Sequence, residues 1–176
     1  EAQTVSNSSL RFDPEKIIIA RDSFGVPHIF AKTDAEVAYG LAWATAEDDV
    51  DNSQFMLCAM RGLLGKKIGI QGVKIDYAVE MLGVMDYVHA HYEEDIPEDF
   101  KRVLEGYAAG VNAFMEKHPE KVWFKKAFPV VPQDLVAGYM LAMALMGGVE
   151  GTITSIIEGT IINQLPENVE DGTGSN

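Results

Sequence analysis

The residues that could do chemistry are few and scattered along the sequence. Near its end, in DGTGSN (residues 171–176), a serine follows a glycine. A serine hydroxyl is a weak nucleophile that needs an adjacent base. If the peptide bond before Ser175 were cut, the new α-amine could be that base. The same six residues are equally typical of a frayed terminus without function, so the segment alone leaves both interpretations open.

Metal-binding patterns are weak. The acidic cluster at residues 47–51 lacks the alternating spacing and the glycine of an EF-hand loop, so a solvated surface is favoured. His89 and His91 are two residues apart and would point in different directions on a helix, whereas helical zinc pairs are four apart. Glu150 follows Gly147-Gly148-Val149 at a predicted helix end. Its carboxylate could ligate a metal or simply be exposed.

The other reactive side chains favour structural roles. Cys58 is the single cysteine and lies in the apolar stretch FMLCAM without a nearby base, which is typical of a buried thiol. His28 at a strand start is interpreted as a packed, hydrogen-bonded residue. His118 is interpreted as a cation at a helix C-terminus. No complete catalytic constellation is present, so an enzyme containing this chain would have most of its active site elsewhere.

Composition limits the partners. The 176 residues are 47% hydrophobic, enough for one domain or for one segment of a larger assembly. The net charge of -13 argues against nucleic acid and against anionic membrane surfaces, but it allows a small amphipathic substrate. No apolar run reaches the roughly 20 residues of a membrane span. The start at Glu-Ala-Gln leads us to expect an N-terminus processed by signal-peptide removal or by trimming.

Residues 15–31 predict a β-hairpin. The stretch KIIIARD contains three consecutive isoleucines, which favour a strand, and His28–Ala31 continues as the second strand after a turn with Gly25 and Pro27. A two-stranded hairpin is barely stable alone in water. We therefore expect these strands to complete the sheet of another polypeptide.

Residues 34–163 predict helices. Thr33 or Asp34 can cap the first, and Asp95 with Glu98 can form a capping box at another. The first predicted helix runs from 34 to about 64 with a break near 48–49, and a loop follows over 65–72. Further helices are predicted over 75–92, from 97 onward, and from 132 to the glycines at 147–148. The chain then continues with an apolar segment over 153–163 and a linker over 165–176.

Helical spacing predicts the buried faces. One stripe contains Val37, Leu41 and Ala44, and the clearest stripe is Phe100, Val103, Leu104, Tyr107, Val111 and Phe114. The apolar stretches 55–57 and 140–146 could line an acyl pocket. Core packing is the favoured interpretation, since apolar stripes at helical spacing usually form the core.

Two stretches resemble the α-subunit of the penicillin acylase family. RDSFGVPHIFAKTDAEVAYGLAWATAEDD matches the family pattern at residues 21–29, 39–40 and 46–48. At the other end, Gly174-Ser175-Asn176 is similar to the junction at which the family's β-subunit begins. Between them, GYAAGVNAF and PVVPQDLVAGY resemble α-subunits of the acyl-homoserine lactone acylase branch. The resemblance therefore covers most of the chain.

The resemblance implies an α+β fold, the four-layer αββα sandwich of N-terminal nucleophile hydrolases. Residues 1–164 would be the mostly helical α-subunit, and the partner would be a β-subunit cut from the same precursor. The resemblance also implies a periplasmic or secreted protein, no required cofactor and a possible structural calcium with Glu150 as a weak candidate ligand. A mature α-subunit ends before such a junction, so either the sequence is a precursor cut off there or the real junction lies further on.

The implied reaction is amide hydrolysis through an acyl-enzyme on Ser175 once it is N-terminal. The oxyanion donors and the supporting Asn and Arg would come from the β-subunit. The expected substrate is an N-acyl-homoserine lactone or a β-lactam side chain. The alternative is a non-enzymatic acidic helical binding or scaffold protein, which would fold alone and would not be processed at Ser175.

Overall fold

The computed structural model describes residues 12–159, and only the backbone of Leu145, Glu150 and Ile157. Strands β1 and β2 span Ile18–Arg21 and Pro27–Phe30. The helices are α1 Asp34–Asp48, α2 Val50–Met60, α3 Leu64–Ile68, α4 Ile70–Leu82, α5 Val84–Asp95, α6 Glu98–Lys117, α7 Pro132–Met146 and α8 Val149–Ile157. The chain divides into two compact units after Leu141.

The predicted hairpin is present, with β1 and β2 antiparallel and Ile19 opposite Ile29. Its inner face packs on α1, where a Cβ on Gly40 would lie 2.7 Å from Ile29 Cγ2. The outer face carries Ile18 and Phe30, which are 60% and 58% exposed. The described residues form no sheet beyond these two strands. The combination of a mostly helical chain and a hairpin is therefore confirmed, while the four-layer sandwich stays a prediction.

Local signals at both ends of α1 act as predicted. Thr33 is the N-cap, and its hydroxyl accepts from Glu36 N while the Glu36 carboxylate accepts from Thr33 N at 2.8 Å. The predicted break falls at Asp49, which ends α1 and caps α2 by accepting from Asn52 N at 3.1 Å. An aspartate at such a break satisfies an amide that the new helix would otherwise leave without a partner.

The prediction of a loop over 65–72 and one helix over 75–92 is wrong. The segment is three helices separated at Gly69 and Gly83, whose φ values of 67° and 62° are left-handed. Asp76 closes the α3–α4 corner by accepting from Leu64 N and Gly65 N at 3.1 and 2.9 Å. Packing against α3 thus extends α4 back across Gly72, which local propensity would place in a loop.

The capping box predicted at Asp95 and Glu98 is also wrong. Asp95 is the last residue of α5, and the N-cap of α6 is Pro97, which has no side-chain cap. The turn is held by Lys101 instead, whose Nζ donates to Glu93 Oε2 at 2.7 Å and to Glu98 Oε1 at 2.9 Å. These two carboxylates raise the pKa of Lys101 to about 12.

The predicted stripe on α1 is partly wrong. Val37 and Leu41 are 38% and 46% exposed, whereas the buried face is made mainly of small residues. The reason is the close approach of α6, where a Cβ on Gly106 would meet Ala35 O and one on Gly110 would meet Tyr39 O. Such proximity excludes branched side chains from the shared face. On α6 the predicted stripe is buried at Leu104, Val111 and Phe114, but Phe100 is half exposed.

The segment between α6 and α7 is held by two side-chain amides. Gln54 is buried, donates to Lys121 O at 2.9 Å and accepts from Trp123 N at 2.7 Å. Asn112 pairs in the same two-way manner with the N–H and C=O of Val130. Each amide satisfies two backbone groups of a segment that is largely irregular, which holds the segment against α2 and α6.

In the second unit, α7 ends before Gly147-Gly148 as predicted, and Gly148 has a φ of 86°. The predicted apolar segment 153–163 begins within α8, and its residues after 159 lie outside the described range. Across residues 12–159, none of the helices combines the length and hydropathy required to cross a membrane.

Candidate functional site

Asp22 organises the turn of the hairpin. Its Oδ1 accepts from Phe24 N and Val26 N at 2.9 and 3.0 Å, and its Oδ2 lies 3.2 Å from His28 Nε2. The bond to His28 and the two backbone amides lower the pKa of Asp22. Gly25, with a φ of 82°, supplies the left-handed residue that the turn requires. The turn consequently presents Phe24 outward, 91% exposed.

Arg21 joins this turn to the end of α1. Its Nη2 lies 2.8 Å from Glu47 Oε2 and 2.7 Å from Asp48 Oδ1, and its Nη1 donates to Gly25 O at 2.7 Å. Hydrogen bonds to Asp48 and Glu47 raise the pKa of Arg21. A planar guanidinium can donate to both carboxylates and to Gly25 O at once, and we call this set of contacts the Arg21 fork. A lysine has a single ammonium group and could not reproduce it.

The residues of the resemblance motif are therefore brought together where the hairpin contacts α1. Residues 21–29 form the turn and β2, residues 39–40 lie where the hairpin packs on α1, and residues 47–48 receive Arg21. Glu47 and Asp48 lie on the solvated surface as predicted, with side chains 50% and 52% exposed, and they also pair with Arg21. The available signal was an arginine beside the turn, but local spacing does not relate it to carboxylates 26 and 27 residues away.

We expect an Arg21→Lys variant to loosen the hairpin although it keeps the charge. A lysine cannot hold both carboxylates and Gly25 O, so the amides of the turn should exchange hydrogen faster while those of α6 keep their protection. Hydrogen exchange read by mass spectrometry on the complete gene product measures this. The control is Lys32→Arg, an exposed cation at the other end of β2. Unchanged turn protection in Arg21→Lys would contradict the role of the fork.

The first unit contains a cavity of about 320 Å³ between α2, α6 and the start of α7. Its lining includes the polar residues Asn52 and Ser53 of α2 and also Gly138 of α7. The apolar lining consists of Met56, Leu57, Met60, Tyr107, Val111, Met115, Phe128, Val130 and Leu135. Of the stretches predicted to be core or acyl pocket, 55–57 thus contributes two residues to this cavity, whereas none of 140–146 lines it.

A part-buried ion pair borders this cavity. Arg61 Nη2 lies 2.7 Å from Asp134 Oδ2, which also accepts from Val131 N at 2.8 Å. Arg61 additionally donates to Pro129 O at 3.1 Å. The Asp134 side chain is 3% exposed. Nothing in the local sequence indicates this pair, because the two residues are 73 positions apart.

Most of the site residues predicted from the sequence take no part in the contacts of the hairpin turn or of the cavity. Gly174 and Ser175 lie outside the described residues, as does the side chain of Glu150. Within residues 12–159, no group of three or more His, Cys, Asp or Glu side chains is arranged to hold a metal ion. Cys58 is buried as predicted, and burial raises the pKa of its thiol. The maturation junction and the calcium ligand therefore stay predictions.

A sequence model of the family described as penicillin amidase matches residues 16–158. The chain belongs to the penicillin amidase family. The match spans the hairpin junction, the cavity and all the helices up to α8. The resemblance to the penicillin acylase family is thereby confirmed.

Individual members of the penicillin amidase family support the assignment. The chain is 30% identical to penicillin G acylase of Escherichia coli over 102 residues, which are 58% of this chain and 12% of that protein. It is 22% identical to the acyl-homoserine lactone acylase PvdQ of Pseudomonas fluorescens over 166 residues, 87% of this chain and 21% of that protein. The chain thus spans only a small part of the curated relatives that it matches.

The fold is also similar to a solved structure. A thermostable penicillin G acylase from Alcaligenes faecalis superposes with a TM-score of 0.62 at 22% identity. The superposition covers 91% of this chain and 95% of the matched chain. At this identity the similarity concerns the fold alone.

Proposed function

We propose that this chain is the α-subunit part of an acylase that hydrolyses linear amide bonds. The observation that carries the proposal is the penicillin amidase match over residues 16–158. Relatives at up to 30% identity are named penicillin acylases and acyl-homoserine lactone acylases, and one, from Pseudomonas sp. strain SE83, is named a proenzyme. Acyl transfer from an amide is the chemistry these names share.

The hairpin supports a partner subunit from the same precursor. Ile18 and Phe30 form an exposed apolar pair on its outer face, and Phe24 extends from its tip. Unpaired strand edges next to exposed apolar side chains are typical of surfaces that receive another strand. The fold similarity to a chain of a solved penicillin G acylase is consistent with this proposal. We propose a heterodimer in which a β-subunit extends this sheet.

The proposed mechanism uses Ser175 after cleavage of the Gly174–Ser175 bond. The freed α-amine, with an ordinary pKa of about 8, accepts the hydroxyl proton as the oxygen attacks the amide carbonyl. Collapse of the tetrahedral intermediate passes the proton to the leaving amine and leaves an acyl ester, which water then hydrolyses. Oxyanion donors from the β-subunit stabilise the tetrahedral intermediates that form before and after the acyl ester. No cofactor is needed, and a calcium near Glu150 would be structural.

We expect the complete gene product, exported and matured, to hydrolyse an N-acyl-homoserine lactone or penicillin G. For at least one, kcat/KM should reach about 10⁴ M⁻¹ s⁻¹ or more. Chromatography with mass detection should find the free fatty acid with homoserine lactone, or phenylacetate with the intact β-lactam nucleus. Release of the amine with its ring intact distinguishes amide cleavage from ring opening.

The outcomes separate the candidate functions. Ring-opened products alone would contradict an acylase. If neither substrate is consumed and the chain stays whole and folds by itself, the non-enzymatic helical binding protein is the better description. If amide hydrolysis is found, the relative rates for decanoyl, hexanoyl and phenylacetyl amides determine which acyl group the enzyme prefers.

A further inference from the structure

Helix α4 is apolar on two opposite sides. Its inner side carries Gly72 and Val79, which are buried against the rest of this chain. Its outer side carries four apolar residues spaced three, four and four positions apart, so that they line up along the helix. Their exposed fractions are 68%, 50%, 57% and 39% in the order Ile70, Val73, Tyr77 and Met81. We call these four residues the α4 stripe.

The α4 stripe is not the pattern of a helix that faces water. Such a helix is polar on its outer side, whereas a helix that is apolar all round is normally buried. The eleven positions from Ile70 to Met81 span about 16 Å at 1.5 Å each, and the described residues leave them open to solvent. Single exposed apolar side chains are common, but a continuous row of them marks an interaction site.

Positive charge borders one end of the α4 stripe. Residues 52–75 contain four basic residues and no Asp or Glu, although the whole chain has a net charge of -13. Lys74 is exposed beside the stripe, and Lys66 is exposed on α3, which packs against the start of α4. Like protein interfaces in general, this surface therefore has an apolar centre and a charged rim. A partner that matches it is apolar at its centre and acidic at the edge that faces the lysines.

The rest of the same protein is the partner that these observations favour. The chain spans only a small part of the curated relatives that it matches, so most of a protein of that size lies outside these residues. An anionic membrane would also attract the lysines, but the net charge of -13 opposes it. Two copies of the stripe packed antiparallel would bring their Lys74 side chains together, because Lys74 lies near the middle of the stripe.

We propose that the α4 stripe is a docking surface for the β-subunit, separate from the hairpin. This inference rests on the proposed two-subunit protein. An apolar surface of the β-subunit covers the four side chains of the stripe, and carboxylates at the edge of that surface face Lys66 and Lys74. Tyr77 is the central anchor, since a tyrosine buried at an interface contributes a large contact area.

Photo-crosslinking tests the proposal. In the complete gene product, p-benzoylphenylalanine replaces Tyr77, Phe30 or Tyr87, one at a time, and the protein is irradiated after maturation. The Tyr77 variant should join the two subunits, and peptide mass spectrometry should locate the new bond in the β-subunit. Phe30 is the control for the hairpin contact. Tyr87 is the matched negative control, because it is 50% exposed but has no large exposed apolar residue one helical turn away.

A charge placed on the stripe gives a second measurement. Tyr77→Asp should weaken the association of the subunits about tenfold, as expected for the loss of an interface anchor. Native mass spectrometry across a urea series should then find the heterodimer lost at a lower urea concentration than in the wild type. Tyr87→Asp makes the same change on α5 and should match the wild type.

The outcomes separate this inference from the proposed function. If the Phe30 variant joins the subunits and the Tyr77 variant does not, the heterodimer stands and docking on α4 is overturned. A bond from Tyr77 to lipid or to a second copy of the same subunit, or an equally strong bond from Tyr87 to the β-subunit, would overturn it as well. If the gene product stays one chain, the proposed maturation fails. A bond from Tyr77 to residues outside these 176 would then still support the contact, and its absence would overturn it.

Discussion

The Ser175→Ala variant of the complete gene product is expected to remain a single chain, whereas the wild type splits and its larger fragment begins at Ser175. Alanine cannot supply the hydroxyl that cleavage of the Gly174–Ser175 bond and the later amide attack both require. Amide hydrolysis should fall by about 10⁴- to 10⁶-fold, as when other enzymes lose their nucleophile. Intact mass and N-terminal sequencing measure the first effect, and product release measures the second.

Two substitutions at the same junction provide controls. Thr173→Ala changes a hydroxyl two residues away and should leave both cleavage and hydrolysis close to wild type. Ser175→Cys keeps a nucleophile and should retain some self-cleavage. If Ser175→Ala is cut at the same bond as the wild type, or if both stay whole, Ser175 has no role in maturation and the proposed mechanism is wrong.

The Gly110→Ala variant is expected to lose about 3 kcal/mol or more of unfolding free energy, the upper part of the range for overpacked cores. The new methyl would lie 2.4 Å from Tyr39 O and 2.9 Å from Ala42 Cβ, so α1 and α6 must separate. The contact is with backbone, which cannot rotate away as a side chain can. Urea unfolding followed by circular dichroism on the matured protein gives the change in midpoint and slope.

Gly138→Ala is the matched control, a glycine-to-alanine change in α7 where the added Cβ meets nothing within 4 Å. Alanine favours a helix over glycine by roughly 0.5–1 kcal/mol, so this variant should be slightly more stable than the wild type. Gly106→Ala, whose Cβ would lie 2.2 Å from Ala35 O, should behave like Gly110→Ala. Equal stabilities for the Gly110 and Gly138 variants would contradict the close contact of α1 with α6.

Several elements could be predicted because their causes are local. Consecutive isoleucines favour β1, Thr33 and Glu36 satisfy each other's amides, and Asp49 interrupts one helix and caps the next. Gly148 adopts the left-handed conformation that separates α7 from α8. In each case the interacting residues lie within about four positions of one another, so the local sequence is enough to predict the feature.

The segment from α3 to α5 could not be predicted in the same way. Gly69 and Gly72 indicate a loop by propensity, but the absence of a side chain on Gly72 is what lets α4 approach the backbone of Leu64. The same holds for α1, where helical spacing predicts a large apolar stripe and close packing selects small residues instead. A glycine that permits contact cannot be distinguished by sequence from a glycine that ends a helix.

By itself, the sequence was enough to identify the family motif and to predict the hairpin and the caps of α1 and α2. It also led to the hypothesis that Ser175 is a nucleophile. These depend on residue types and short spacings. Tertiary structure alone decided that Arg21 pairs with Glu47 and Asp48 and that Arg61 pairs with Asp134 at the edge of a cavity. The physical reason is separation along the chain: these partners are 26 to 73 residues apart and meet only because α1, α2, α6 and α7 pack as they do.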